Sequence, residues 1–124
     1  SGWTTAILAQ LVGPAGSVLG LELVADLVEQ GASNVARAGV PWARIRAADP
    51  SRLGAPDEAP FDRILVSAMA DTMPRELEDQ LAADGILVVP VAGWMLRVRR
   101  DAAAPGGVVV TSHGAYRFVP LVTH

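Results

Sequence analysis

Hydrophobic positions along the chain follow two periods, one helical and one extended. From Trp3 to Val12 the residues Ile7, Leu8 and Leu11 recur at helical spacing, with Thr4 and Thr5 at the start, and Gly13-Pro14-Ala15-Gly16 turns the chain. Ser17 to Leu21 reads as a short buried strand ending at Glu22. A second helix is predicted from about Val24 to Ala38, with Leu27, Val28 and Val35 on one face and Gly39 as its stop. Trp42 to Ala47 alternates apolar residues with arginine and predicts a strand ending just before Asp49, and Pro50 to Pro60 reads as a surface loop. Phe61 to Val66 predicts a strand buried on both faces, as parallel strands are. Pro74 opens a predicted helix to about Leu81, and Asp84-Gly85 a tight turn into Ile86-Leu87-Val88-Val89, a further fully buried strand. Gly93 to Arg100 and Val108 to Phe118 predict a terminal antiparallel pair joined through the low-complexity loop Ala102 to Gly107. Strands alternating with helices as far as Pro90 imply an α/β fold with a mostly parallel sheet.

Composition narrows the function classes. With 124 residues, 51% of them hydrophobic and 19% charged, the chain is expected to fold as one globular domain rather than remain disordered. The absence of cysteine excludes a disulfide scaffold and fits a reducing, cytoplasmic setting. All basic residues are arginine, and the formal charge of −3 lacks the basic footprint of tight, sequence-independent nucleic-acid binding. No apolar run is long enough to span a membrane, because Glu22, Asp26 and Glu29 interrupt the first candidate and Asp84 precedes the second. No signal peptide is visible, and a start at Ser1 rather than methionine implies processing or a longer parent.

In parallel α/β sheets, ligands bind beyond the carboxyl ends of the strands. Glu22, Asp49, and Ser67 with Ala68 occupy such positions. Two carboxylates at successive strand ends suit a nucleoside cofactor, one accepting from the ribose hydroxyls and the other from the adenine amino group. The competing reading is local, since acids at strand ends also cap the following helix, Asp49 especially.

Ser1-Gly2-Trp3-Thr4-Thr5-Ala6 before an apolar helix resembles the tail of a Gly-rich strand-to-helix turn. The chain as a whole is similar to the protein-L-isoaspartate O-methyltransferase family of class I S-adenosylmethionine-dependent methyltransferases. The likeness rests on Val18-Leu19-Gly20-Leu21-Glu22, Ala59-Pro60-Phe61-Asp62-Arg63-Ile64-Leu65-Val66 and Pro74 to Leu81. It continues through Asp84-Gly85-Ile86-Leu87-Val88-Val89-Pro90-Val91 and the terminal Arg117-Phe118-Val119-Pro120-Leu121. A Rossmann dehydrogenase shares a glycine turn and a distant acid, but only Ser1-Gly2 of such a motif is present and no dehydrogenase pattern follows Val66.

The resemblance implies a Rossmann-like sheet, S-adenosyl-L-methionine as cofactor, and methyl transfer to an isoaspartyl carboxylate of a protein or peptide in a repair reaction. It implies a cofactor site made by Ser1, Gly2 and Trp3, by Glu22 with Leu23, by Asp49 with Pro50, and by Ser67 with Ala68 near the sulfonium. Gly2 would let backbone approach the methionine part, Glu22 would hold the ribose, and Asp49 would meet the adenine amino group. Read as structure instead, Thr5 could cap the first helix and Ser67 could form a turn. The family's first strand and catalytic hydroxyl are expected before Ser1, so the resemblance assigns no catalytic residue here, and two strand edges are expected to lack partners. The 124 residues alone are therefore expected to show little turnover.

Two departures stand out. Pro50 replaces the glycine usual after the adenine-side acid and removes a backbone N–H that could reach the adenine ring. Asp84 replaces the first of two glycines on what should be an exposed turn. Other chemistry is sparse: no cluster has metal-ligand spacing, no Gly-x-Ser-x-Gly elbow occurs, and His113 and His124 read as surface residues. Trp42 and Trp94 read as core or sheet cover, Trp3 as a neighbour of the cofactor, and Met69 and Met73 as core or the mouth of a site. Arg97, Arg99 and Arg100 read as a solvated edge. Two other functions stay in view, a related methyltransferase with another peptide acceptor and a non-catalytic module that keeps the fold.

Overall fold

The computed structural model describes residues 1–122, so the expectation for His124 lies outside the described residues. The chain divides into two compact units that meet in sequence between Pro50 and Ser51.

The first unit runs α1 (Trp3–Val12), β1 (Val18–Glu22), α2 (Ala25–Arg37) and β2 (Ala43–Ala47). Gly13 at φ 74 ends α1, and Gly39 at φ 70 follows Ala38, the C-cap of α2, both in conformations that glycine adopts without a Cβ penalty. β1 and β2 pair in parallel, from Val18 opposite Ala43 to Glu22 opposite Ala47. Their core is Ala9, Val35 and Val40, with Val18, Trp42 and Ile45 packed against it. Trp42 is half-buried, and its indole N–H donates to the Ala9 carbonyl at 2.7 Å, which satisfies the polar end of an otherwise apolar side chain.

The apolar face of α1 differs from the sequence expectation. Ala9 is fully buried, whereas Leu11 is 76% and Ile7 43% exposed. α1 approaches the sheet closely on its small residues: Thr5 Oγ1 lies where a Cβ on Gly20 would come within 2.6 Å. That spacing accommodates alanine and threonine and turns the larger side chains outward. Thr5 accordingly lies inside the helix rather than capping it; the N-cap is Gly2.

The second unit comprises β3 (Phe61–Leu65), α3 (Arg75–Glu78), β4 (Leu81–Val91), β5 (Trp94–Arg100) and β6 (Val108–Ala115), with a short 3₁₀ turn at Pro105–Gly107. The sheet order is β3-β4-β5-β6, parallel between β3 and β4 and antiparallel thereafter. Leu77, Leu81, Leu87, Val89 and Val98 form its core.

Four expectations need correction here. β3 is an edge strand with no partner on its outer side among the described residues, and its faces are incompletely covered: Asp62, Arg63 and Leu65 are exposed rather than buried. The helix after Pro74 is a single turn, because Leu81 already belongs to β4. Asp84-Gly85 is an irregularity inside β4: Phe61 faces Leu81 while Arg63 faces Ile86, so extra residues bulge from the longer strand. Asp84 takes φ 59 there, a left-handed conformation that aspartate tolerates better than most residues. Finally, in Ile86–Val89 only Leu87 and Val89 are fully buried, since one face of the strand is more open.

Candidate functional site

In the first unit the topology collects the expected residues at one end. Trp42 reaches Ala9 at the start of β2, while Thr5, four residues earlier in α1, lies against Gly20 at the middle of β1. α1 therefore runs antiparallel to the strands, and its N-terminus stands at their carboxyl ends. Ser1, Gly2 and Trp3 lie at that N-terminus, Glu22 ends β1, and Asp49 follows the end of β2 by two residues. The ladder extends one step past its last pair, with Ala48 N–H donating to the Glu22 carbonyl at 2.9 Å.

Gly2 adopts φ 80, and a Cβ there would meet the Gly31 carbonyl oxygen at 2.6 Å. Glycine at this position is thus required by the packing of the turn on α2, whatever else the turn holds. The N-cap of α1, Gly2, has no side chain with which to cap the helix and the first turn holds no acid, while Ser1 Oγ accepts the Trp3 N–H at 3.5 Å. Helix N-termini of this kind present N–H donors and the positive end of the helix dipole. Trp3 is 72% exposed beside this turn.

Glu22 is half-buried, and its Oε1 accepts the Val24 N–H at 3.0 Å, holding the residue that precedes α2. The local reading therefore applies to Glu22, which supports a helix start. A carboxylate offers about four acceptor sites, so one such bond leaves capacity for a diol. For Asp49 the helix-cap reading fails, because turns and bends, not a helix, lead from it towards β3. Asp49 is half-buried; Leu23 and Pro50 beside the two acids are exposed. Two open grooves are lined by other residues. One, of about 530 Å³, is lined by Ala32, Ala36, Gly39 and Arg44 in the first unit; another, of about 480 Å³, by Arg52, Leu53, Glu76 and Gln80 in the second.

The family model for protein-L-isoaspartate(D-aspartate) O-methyltransferase matches residues 1–124. The chain belongs to this family. The protein-L-isoaspartate O-methyltransferase of Pyrococcus horikoshii is 34% identical over 125 residues, spanning 98% of this chain and 56% of that protein. A solved protein-L-isoaspartate O-methyltransferase superposes over 98% of this chain and 39% of its own, with a TM-score of 0.84 at 23% identity, which shows the shared fold. A putative protein-L-isoaspartate O-methyltransferase from Plasmodium falciparum, solved in complex with S-adenosyl-L-homocysteine, matches at a TM-score of 0.68 and 26% identity. It covers 86% of this chain and 52% of that one. The chain spans about half the length of the curated relatives it matches.

The second unit carries the remaining expected residues. Ser67 is exposed and Ala68 half-buried just beyond β3. The loop that follows is tied down on both sides. Met69 N–H donates to the Val119 carbonyl at 2.7 Å, and Leu121 N–H donates to the Met69 carbonyl at 2.8 Å. Ala70 exchanges bonds of 2.9 Å with Pro90 and Ala92. The terminal Arg-Phe-Val-Pro-Leu motif thus clamps the loop after β3. Met69 Sδ accepts from Gly93 N–H at 3.2 Å and Met73 packs on the core, so both methionines serve the fold of this unit.

The other candidates resolve as structure. Arg97, Arg99 and Arg100, expected at a solvated edge, lie instead on β5, which is paired on both sides by β4 and β6; Arg99 pairs with Asp101 at 3.3 Å, and Arg100 donates to the Leu81 carbonyl at 2.7 Å. His113 bonds its neighbour Thr111 on an exposed strand. Trp94, expected as core or sheet cover, is exposed. Among the described residues no group of three or more His, Asp or Glu could hold a metal ion, and no helix is long and apolar enough to cross a membrane. Sequence reasoning missed two residues. Gly31, which lies on the buried face of α2 with Val35, and Asn34 touch the Ser1–Gly2 turn. It also missed Gln80, which is buried and bonds Leu53, Ala55 and Glu76.

Proposed function

We propose that this chain is the cofactor-binding part of an S-adenosylmethionine-dependent methyltransferase acting on isoaspartyl carboxylates of proteins or peptides in the cytoplasm. The observation that carries the reading is the gathering of Ser1–Gly2, Glu22 and Asp49 at the carboxyl ends of two paired parallel strands. Ligands occupy that end in sheets of this kind. Family membership, and a related structure solved with S-adenosyl-L-homocysteine, support the choice of ligand.

The residues present fit such a cofactor. The free capacity of the Glu22 carboxylate suits the ribose hydroxyls, and Asp49 suits the adenine amino group. The start of α1, with a glycine N-cap and no acid in its first turn, suits a carboxylate such as that of the methionine part. Pro50 offers no N–H, so any adenine contact beside Asp49 is made by other groups. Exposed Trp3 and Leu23, next in sequence to Gly2 and Glu22, supply apolar surface. When bound, the cofactor supplies a methyl group on a positively charged sulfonium. The protein's task is to hold the acceptor carboxylate in line with that carbon and to exclude water. An ionised carboxylate attacks without a general base, so this chain needs no titrating histidine for the chemistry. Ser67 and Ala68 are assigned to the acceptor side on the family pattern.

The test is transfer of labelled methyl to an isoaspartyl peptide by the longest protein that contains this chain. The reading expects transfer that is lost in Glu22→Ala. An intact, cofactor-loaded protein that leaves isoaspartyl peptides unmethylated, yet modifies another carboxylate, overturns the substrate and keeps the cofactor.

A further inference from the structure

The Ser1–Gly2 turn is seated on α2 by contacts of two kinds. One is steric: a Cβ on Gly2 would stand 2.6 Å from the Gly31 carbonyl oxygen, so glycine at position 2 is needed for the turn to lie this close. The other is a directed hydrogen bond, with Asn34 Nδ2 donating to the Ser1 carbonyl at 2.8 Å. Arg37, one turn further along α2, donates from Nη2 to Asn34 Oδ1 at 2.5 Å. A guanidinium can only donate and a carbonyl can only accept, so the Asn34 amide has one orientation that satisfies both partners. Gly31, Asn34 and Arg37 are spaced three apart, which puts them in one row along the helix.

That bond has a consequence for the other side of the peptide. The Ser1–Gly2 bond is trans, since Ala59–Pro60 is the cis peptide of the described chain. In a trans peptide the carbonyl and the N–H point in opposite directions. With the Ser1 carbonyl drawn towards α2, the Gly2 N–H points away from α2. Glycine visits both signs of φ with little cost, so the peptide before Gly2 is free to rotate unless something outside the turn holds it. Asparagine is a weak helix former, and its place inside α2 gains nothing from propensity.

We propose that Asn34 is a positioning residue for the cofactor turn, with Arg37 setting the direction of its amide. It fixes the Ser1 carbonyl on α2 and so presents the Gly2 N–H, together with the first N–H groups of α1, to an acceptor on the methionine part of the cofactor. The inference rests on the cofactor reading above and adds the residues that hold its backbone donors in place.

The experiment compares wild type with Asn34→Asp, Ser33→Ala and Val35→Ala by calorimetric titration with S-adenosyl-L-homocysteine, thermal melting, and ¹⁵N relaxation at Gly2 and Trp3. Asn34→Asp keeps the bond from Arg37 and puts an oxygen against the Ser1 carbonyl. It should weaken binding by roughly 3- to 10-fold, the range for one lost hydrogen bond, and loosen Gly2 and Trp3 relative to Ala9. Val35→Ala removes buried core and should lower the melting temperature more, yet leave affinity within about twofold. Exposed Ser33→Ala should change neither. Wild-type affinity and unaltered relaxation in Asn34→Asp overturn the proposal, as does a loss of affinity that Val35→Ala reproduces. A folded wild type that binds no ligand overturns the cofactor reading instead; the relaxation data then decide by themselves whether Asn34 orders the turn.

Discussion

Ala48 donates its backbone N–H to the carbonyl of Glu22 at 2.9 Å, one step beyond the last residue pair of β1 and β2. This bond ties the segment leading to Asp49 to the strand end that carries Glu22. The two acids therefore reach the same end of the sheet through backbone pairing. The arrangement should survive substitution of either side chain.

Glu22 has two tasks that substitution can separate. Glu22→Gln keeps an acceptor for the Val24 N–H but loses the charge, whereas Glu22→Ala loses both. A hydrogen bond to a charged group is worth about 1.5–3 kcal/mol, so Glu22→Gln should weaken S-adenosyl-L-homocysteine roughly tenfold or more. Its melting temperature should stay near wild type. Glu22→Ala should lose binding and about 0.5–2 kcal/mol of stability, as for a lost helix-start contact. Titration and denaturant unfolding of both variants check this.

Gly2→Ala should destabilise the first unit by about 1–3 kcal/mol. Two causes add: the left-handed φ of 80, and a methyl group 2.6 Å from the Gly31 carbonyl oxygen. Gly39→Ala, also at a positive φ of 70 but with nothing within 4 Å of its added Cβ, should cost less. The difference between the two unfolding free energies isolates the close packing.

Trp42→Phe removes the indole N–H that reaches Ala9 and leaves most of the ring's apolar contact. The loss should be about 0.5–1.5 kcal/mol for the bond, with some addition for the volume removed. By contrast Leu11→Gln, at a position 76% exposed, should stay within about 0.5 kcal/mol and improve solubility.

Pro50→Gly restores a backbone N–H next to Asp49. If that donor reaches the adenine ring, S-adenosyl-L-homocysteine should bind roughly 2- to 10-fold tighter, a gain of one hydrogen bond. Unchanged or weaker affinity means that the stiffness of proline compensates for the missing donor. Titration of the variant beside wild type decides between them.

The parts of this molecule legible in the sequence are those with local causes. Period and glycine stops placed α1, β1, α2 and β2 to within a residue or two, because Gly13 and Gly39 end helices for reasons internal to the backbone. Burial was harder to read. Ile7 and Leu11 fit a helical stripe and yet face outward, because α1 packs through its small residues, with Thr5 against Gly20 and Ala9 buried. β3 has the composition of an enclosed strand but pairs on one side only among the described residues. At the candidate site, Glu22 and Asp49 were visible as acids at strand ends. Asn34 was not, since a single bond across 33 residues leaves no trace in local pattern.

The central claim is tested most directly by calorimetric titration of this chain with S-adenosyl-L-homocysteine beside a thermal melt. The account predicts saturable one-to-one binding, with a melting temperature that rises as ligand is added. A cooperatively folded chain that gives no heat and no shift in melting would contradict it.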